Sequence, residues 1–141
     1  MSAEAIQIHP TNETLPFWNG AREGRLVLQR CARCERFRHY PREICPHCFS
    51  SSFVWAECKG TGTVYSFTVV HRAPSKAFAS QVPYVVANIE LAEGVHMMSR
   101  IIDCSPDRVD VGMSVRVRFD DVGGVHLPVF VLDEAMEATD D

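Results

Sequence analysis

The stretch CARCERFRHYPREICPHC, residues 31–48, contains two Cys-x-x-Cys pairs separated by ten residues. Each pair can present two thiolates on one tight turn, and the segment between the pairs is long enough for a hairpin that brings the turns together. The predicted metal ligands are Cys31, Cys34, Cys45 and Cys48. Four thiolates are a preferred ligand set of structural zinc and leave no open position for water or substrate, so we expect the metal to stabilise the fold.

Other readings of this metal centre stay open at the level of sequence. Iron bound by the same sulfurs would make the chain an electron carrier, because ligand type alone does not separate zinc from iron here. His39 and His47 also lie in the stretch, but four thiolates already complete the shell, so both histidines are predicted to be surface residues. Glu35 and Phe49 follow the second cysteine of each pair, where a glycine usually relaxes such turns.

Composition and cysteine usage indicate a compact globular protein of a reducing compartment. Hydrophobic residues make up 46% and charged residues 23% of the chain, close to globular averages. The N-terminal residues lack a secretory signal pattern, and no apolar run reaches the roughly 18 residues that a membrane helix needs. We therefore expect a cytoplasmic protein with no membrane partner, in which the six cysteines seldom form disulfides. Cys58 and Cys104 stand alone without a catalytic signature and are predicted to be ordinary thiols.

The segment TLPFWNGAREG, residues 14–24, predicts a short helix. Thr14 is expected to cap this helix, Pro16 to lie in its first turn and Gly24 to end it. The residues predicted to share one face are Leu15, Trp18 and Ala21. That face either packs onto the protein's own barrel, since an isolated two-turn helix is unstable, or docks onto a partner protein. The candidate partner-docking residues are Leu15, Phe17 and Trp18.

From Gly60 onward the sequence contains five β segments separated by turn residues. The segments are GTVYSFTVVHR, YVVANIEL, HMMSRII, SVRVRF and LPVFVL. Alternation of apolar and polar residues in the first and fourth predicts one wet face and one face in the core. The predicted inward residues are Tyr65, Phe67, Val69, Val115, Val117 and Phe119. Five strands of this length favour a small closed barrel, so the fold class is mainly β with one short N-terminal helix and a four-cysteine ribbon.

Four regions follow from these patterns. They are an N-terminal segment with the short helix (1–24), a zinc ribbon (25–59), a barrel (60–133) and an acidic tail predicted to be disordered (134–141). Charge divides unequally between the halves: residues 1–60 hold eight Arg and Lys against six Asp and Glu, whereas residues 61–141 hold six against twelve.

Seven arginines lie between positions 22 and 42. A zinc ribbon and a barrel with such a basic stretch could form a module that binds single-stranded nucleic acid. The net charge of −4 and the lack of a clear exposed aromatic platform make this nucleic-acid reading the less favoured alternative. The arginines could instead offset the charge of the thiolates, or bind the phosphates of a small ligand such as coenzyme A.

The joint order of several segments resembles the DUF35 family. These segments are FWNGAREGRLVLQRCARC, HYPREICPHC, GTGTVYSFTVVHRAP, PYVVANIEL and LPVFVL, and together they span roughly residues 15–132. The resemblance implies an N-terminal helix, a rubredoxin-like zinc ribbon and an OB-fold barrel. CPHCFS departs from the usual Cys-Gly-Ser ending of the family, which affects only the expected shape of one turn.

The resemblance also implies an accessory function in acyl-CoA chemistry. DUF35 proteins associate with thiolase-like enzymes, including SCP2-type aldolases that cleave steroid side-chain acyl-CoA thioesters, or with MaoC-type hydratases. The partner would then hold the catalytic groups, and no catalytic residue is assigned to this chain. Acyl-CoA would be a ligand shared with the partner, and the candidate binding residues on the 71–83 loop are His71, Arg72, Lys76 and Phe78. Arg and Lys suit phosphates, and Phe suits adenine or an acyl chain.

Overall fold

The computed structural model describes residues 11–73, 76, 79–122 and 125–133. One helix, α1 (Leu15–Arg22), precedes a three-stranded antiparallel sheet. The strands of this ribbon are β1 (Leu26–Cys31), β2 (Phe37–Arg38) and β3 (Phe53–Cys58), in the spatial order β2-β1-β3. The two cysteine pairs flank β2, so the ribbon carries the predicted metal centre at one end.

The remaining five strands form a closed barrel, as predicted. They are β4 (Thr61–Val70), β5 (Tyr84–Leu91), β6 (His96–Ile101), β7 (Ser114–Val122) and β8 (Val125–Leu132). Their order around the barrel is β4-β5-β6-β8-β7, and β7 closes onto β4. Neighbouring strands are antiparallel except β6 and β8, which meet in parallel at the pair Ile101 and Phe130. Pro106–Arg108 form a short 3₁₀ turn between β6 and β7.

A β-bulge in β4 changes which side chains face the core. Val64 pairs with Ile89 and Ser66 with Asn88, which leaves Tyr65 as the extra residue. Val64 therefore points inward, whereas Tyr65 is 58% exposed. The prediction of Tyr65 as an inward residue is wrong because simple alternation takes no account of this extra residue. The other predicted inward residues do pack against the core: Phe67, Val69, Val115, Val117 and Phe119.

The helix packs on the protein itself, and its buried face differs from the predicted one. Phe17 and Ala21 are buried, Trp18 is half-buried, and Leu15 is 43% exposed. A methyl group at Gly20 would lie 2.6 Å from Cγ2 of Val27, so this glycine permits the close approach of the helix to β1. The predicted face is therefore rotated from Leu15 toward Phe17.

The helix begins and ends close to the predicted residues, but the expected capping hydrogen bond of Thr14 does not form. Thr14 is the N-cap residue, yet its hydroxyl makes no capping bond to the helix and contacts Thr11 instead. Gly24 follows the helix with φ +78°, a conformation that glycine adopts without strain.

A hydrophobic core of described residues joins helix, ribbon and barrel. Phe17 of α1, Leu28 of β1 and Cys58 of β3 belong to the same buried cluster as Ile89 and Phe130 of the barrel. The two sheets are therefore packed together rather than linked by an open connection. Within the described residues, no helix is long and apolar enough to cross a membrane.

Candidate metal centre and adjoining clefts

The fold brings the four predicted ligands together. The Sγ atoms of Cys31, Cys34, Cys45 and Cys48 all lie within 4.8 Å of one another. Sγ of Cys31 is 3.5 Å from that of Cys48, and Sγ of Cys34 is 3.7 Å from that of Cys45. A tetrahedral zinc with Zn–S bonds near 2.3 Å needs sulfurs about 3.8 Å apart. All four cysteines are free thiols rather than disulfides, so their spacing and chemistry fit a structural zinc ion.

Two equivalent turns position the sulfurs. The N–H of Glu35 donates to the carbonyl of Cys31 at 3.0 Å, and the N–H of Phe49 donates to the carbonyl of Cys45 at 2.9 Å. Glu35 has φ 67° and Phe49 has φ 64°, the left-handed conformation that glycine usually supplies. The turns thus keep this shape without glycine, at the cost of some backbone strain.

Main-chain amides support the thiolates. The N–H groups of Arg33 and Cys34 each donate to Sγ of Cys31 at 3.4 Å, and the N–H of His47 donates to Sγ of Cys45 at 3.4 Å. The amide of Cys34 is the main reason why the pKa of Cys31 falls to about 6. Cys34 also accepts from a main-chain amide, that of Arg36, but burial and the neighbouring thiols together raise its pKa to about 11. In a zinc-bound form all four cysteines would be thiolates, and the cation would balance their charge.

The two histidines of the stretch have different environments. His47 is exposed, as predicted, and its Nδ1 accepts a hydrogen bond from Nη1 of Arg36 at 3.0 Å. His39 is half-buried rather than fully exposed: its ring lies 5.6 Å from the ring of Phe17 and 4.5 Å from that of Tyr40. Burial lowers the pKa of His39 to about 4, and its Nδ1 has no hydrogen-bond partner among the described residues.

An apolar cleft of about 250 Å³ lies between the helix, the ribbon and the barrel. Trp18, Tyr40, Met98 and Leu127 are among its lining residues, and the side chains of Tyr40 and Met98 are 60% and 57% exposed. Phe17 also lines the cleft but is itself buried in the core. Sequence reasoning missed Tyr40 and Met98, because their approach to the helix depends on how ribbon and barrel pack.

A second cleft, of about 300 Å³, lies where the ribbon meets the turn between β5 and β6. Its lining includes Arg38, Arg42, His47 and His96. Arg38 is one of the seven arginines of the basic stretch, yet only 5% of this residue is exposed. The alternation along FRHY could have indicated that Arg38 and Phe37 point to opposite faces of the ribbon.

The predicted acyl-CoA residues lie on the connection between β4 and β5. His71, Arg72 and Lys76 are exposed, and Phe78 lies outside the described residues.

The two remaining cysteines differ in exposure. Burial, together with the nearby charges of Glu93 and Glu57, raises the pKa of Cys58 to about 12, so this thiol stays protonated. Cys104 is half-buried and lines a third cleft, of about 220 Å³, together with Arg108, Arg116 and Arg118.

The ribbon with its four cysteines and the closed barrel define a two-lobed zinc-ribbon and OB-fold protein. Residues 18–54 match the family described as "ChsH2, rubredoxin-like zinc ribbon domain", and residues 55–120 match "ChsH2, C-terminal OB-fold domain". A "DUF35 domain-containing scaffold protein" of Methanocaldococcus jannaschii is 43% identical over 95 residues, which cover 67% of each chain. The chain belongs to the DUF35 family, as its sequence indicated.

Two further relatives have names that mention enzymes. A "Probable enoyl-CoA hydratase alpha subunit" of Thermomonospora curvata is 44% identical over 79% of this chain, but the match covers only 35% of that relative. The chain therefore spans about a third of the length of this relative. Among solved structures, the "Ltp2-ChsH2(DUF35) aldolase" contains a chain that is 37% identical, with a TM-score of 0.79. The match covers 89% of this chain and 98% of that one.

Proposed function

We propose that this chain is the scaffold subunit of a complex that transforms acyl-CoA thioesters, and that a thiolase-like, SCP2-type enzyme supplies the catalytic groups. The observation that carries this proposal is the likeness to the DUF35 chain of an aldolase over 98% of that chain's length. A MaoC-type hydratase is the second candidate partner, because relatives of greater length are named as hydratase alpha subunits. In this proposal a zinc ion bound by the four cysteines stabilises the ribbon and takes no part in the reaction.

Five of the six thiols of the chain support a non-catalytic role. Four cysteines form the cluster, where zinc would occupy every sulfur. Cys58 is buried, and its raised pKa keeps it in the unreactive protonated form.

We place the contact with the thiolase-like partner at the apolar cleft beside the helix. Trp18, Tyr40 and Met98 present aromatic and sulfur-containing surface around one concave site, and such residues contribute most to the affinity of protein interfaces. Leu15, at the start of the helix, is also exposed and would extend this surface. Phe17 would contribute indirectly, because its buried ring supports Trp18 in an edge-to-face contact with 4.9 Å between ring centroids.

We place the acyl-CoA contact on the connection between β4 and β5. The exposed side chains of Arg72 and Lys76 suit the phosphates of the ligand, as charge-assisted hydrogen bonds to phosphate are strong. His71 and Phe78 complete the proposed set. The acyl chain itself would then extend toward the partner's catalytic site.

Co-expression with the thiolase-like protein of the same organism tests the proposal. We expect a stable complex in size-exclusion chromatography that is lost or weakened by Met98→Asp. Val111→Asp is the matched control, because Val111 is similarly exposed at 61% but does not line the cleft. Failure to bind either a thiolase-like or a MaoC-type enzyme would refute the scaffold role. Retention of the chain on single-stranded DNA at moderate salt would favour the nucleic-acid alternative instead.

A further inference from the structure

Arg38 carries a positive charge into the interior of the ribbon. It lies opposite Gln29 in the pairing of β1 with β2, and these two residues are 5% and 1% exposed. Nε of Arg38 donates to Oε1 of Gln29 at 2.7 Å, and Nη2 donates to the main-chain carbonyl of Arg42 at 2.7 Å. Both acceptors are neutral. Nη1 has no hydrogen-bond partner within the described part of the chain.

Within the described part of the chain, Arg38 forms no ion pair that would supply a counter-charge. A guanidinium keeps its proton in proteins, and burial of a charge is costly unless an opposite charge or a full set of hydrogen bonds compensates for it. The ring of Phe53, whose centroid is 5.0 Å from the guanidinium carbon, offsets part of this cost. An anion bound from solution would supply the rest.

Arg38 is among the residues that line the cleft at the junction of ribbon and barrel. Arg42 and His47 line this cleft on the ribbon side, and His96 lines it on the barrel side. Arg36 donates to Nδ1 of His47, so a neutral His47 carries its proton on Nε2, where it can donate.

Positive and neutral groups dominate this lining. Among the described residues that line the cleft, none has a carboxylate. The nearby Glu90 lies outside it, with Oε2 4.0 Å from Nε2 of His96. The balance of charge in the cleft therefore favours an anionic ligand.

We infer that this cleft binds a phosphate group. A carboxylate is best held by two parallel N–H groups of one guanidinium, but Nε and Nη2 of Arg38 are already engaged. Arg38 and Arg42 are separate residues of the lining, and guanidinium donors from two residues suit a tetrahedral oxyanion that accepts from several directions. The cleft volume of about 300 Å³ exceeds what free phosphate occupies and leaves room for part of a larger phosphate-bearing molecule. The inference goes beyond the proposed scaffold role and requires no protein partner.

Titration of the zinc-loaded full chain with inorganic phosphate tests the inference. Binding is followed by ³¹P NMR at constant ionic strength, with sodium chloride as the balancing salt. We expect saturable binding, and we expect Arg42→Gln to weaken it about tenfold through the loss of one charge-assisted contact. Arg38→Lys should weaken it similarly. Arg22→Gln is the matched control, because it removes the same charge from an exposed residue of the helix and should leave the affinity unchanged.

The outcomes separate a built phosphate site from general attraction of anions. Equal losses from Arg42→Gln and Arg22→Gln, no saturable binding, or equally tight binding of acetate would each overturn the inference. If Arg38→Lys does not fold, Arg42→Gln still decides the result. Competition by coenzyme A but not by dephospho-coenzyme A would identify the 3′-phosphate of coenzyme A as the group bound, whereas equal competition by both would point to the diphosphate. Competition by neither would leave free phosphate as the ligand.

Discussion

The barrel joins five strands in a closed ladder, whereas the ribbon has three strands, one of them only two residues long. Inside the barrel the fully buried side chains are apolar, with Phe130, Ile89 and Val115 at its centre. The ribbon buries a glutamine and an arginine and collects four sulfurs at one end. The barrel therefore depends on hydrophobic packing, whereas the ribbon combines a few polar contacts with four sulfurs whose spacing fits a zinc ion.

This difference predicts that the two lobes respond to different substitutions. Loss of a metal ligand should affect the ribbon first, and loss of core volume should affect the barrel first. The shared buried cluster, through Phe17 and Leu28, sets how far each disturbance spreads to the other lobe.

The largest effect is expected from Cys45→Ser. The substitution removes one zinc ligand, and zinc binding to finger peptides is worth about 10–16 kcal/mol, so the ribbon should lose its metal and unfold locally. Elemental analysis would measure the metal, and amide hydrogen exchange would compare β1–β3 with β4–β8. Cys104→Ser is the control, since Cys104 lies outside the cluster. A metal-free variant with full protection in the ribbon would contradict this prediction.

Phe130→Ala should destabilise the barrel by about 3–5 kcal/mol, the usual cost of removing a buried phenylalanine from a core. Phe130 is fully buried and sits where β6 meets β8. Urea unfolding would measure the change, and Val111→Ala, at an exposed position, should have little effect. The zinc content should stay that of the wild type. Loss of zinc in folded Phe130→Ala would show that the lobes are more strongly coupled than their packing suggests.

His39 should make stability fall as the pH falls from about 6.5 to about 4. In this range the unfolded chain binds a proton at this histidine, whereas burial holds its native pKa at about 4. The loss reaches at most about 3 kcal/mol near pH 4 and is absent above pH 7. Free energies of unfolding at pH 7 and pH 5 should therefore differ less in His39→Gln than in the wild type. His71→Gln, at an exposed position, should keep the wild-type slope, and an unchanged slope in His39→Gln would refute the assignment.

Phe49→Gly should stabilise the ribbon slightly. Phe49 has φ 64° and is 77% exposed, so glycine would relieve backbone strain while little buried surface is lost. The gain is expected to be about 1 kcal/mol, measured as slower exchange of ribbon amides or tighter zinc binding. Phe49→Ala keeps a Cβ in the same conformation and should give no such gain. Equal behaviour of the two variants would show that the turn is not strained.

The sequence was sufficient for features that local patterns determine. The spacing of the cysteines predicted which sulfurs meet, and period-two alternation with turn residues predicted the five barrel strands. The segment order identified the family. These signals depend on a residue and its near neighbours, which a single sequence contains.

Features that depend on long-range packing could not be read from the sequence. The bulge at Tyr65 follows from the register between β4 and β5. His39 is half-buried because the helix brings Phe17 against it, and Arg38 is buried because β2 pairs with β1. Alternation along FRHY places Arg38 and Phe37 on opposite faces, but only the pairing of β2 with β1 shows that the arginine lies on the buried one.

The common core of helix, ribbon and barrel also affects how a partner protein would bind. Because Phe17, Leu28 and Ile89 pack in one cluster, rotation of one lobe against the other would expose apolar surface to water. The distance between the helix and the barrel is therefore fixed before any partner binds. Association then requires little loss of interdomain entropy, so the molecule can set the spacing of whatever assembles on it.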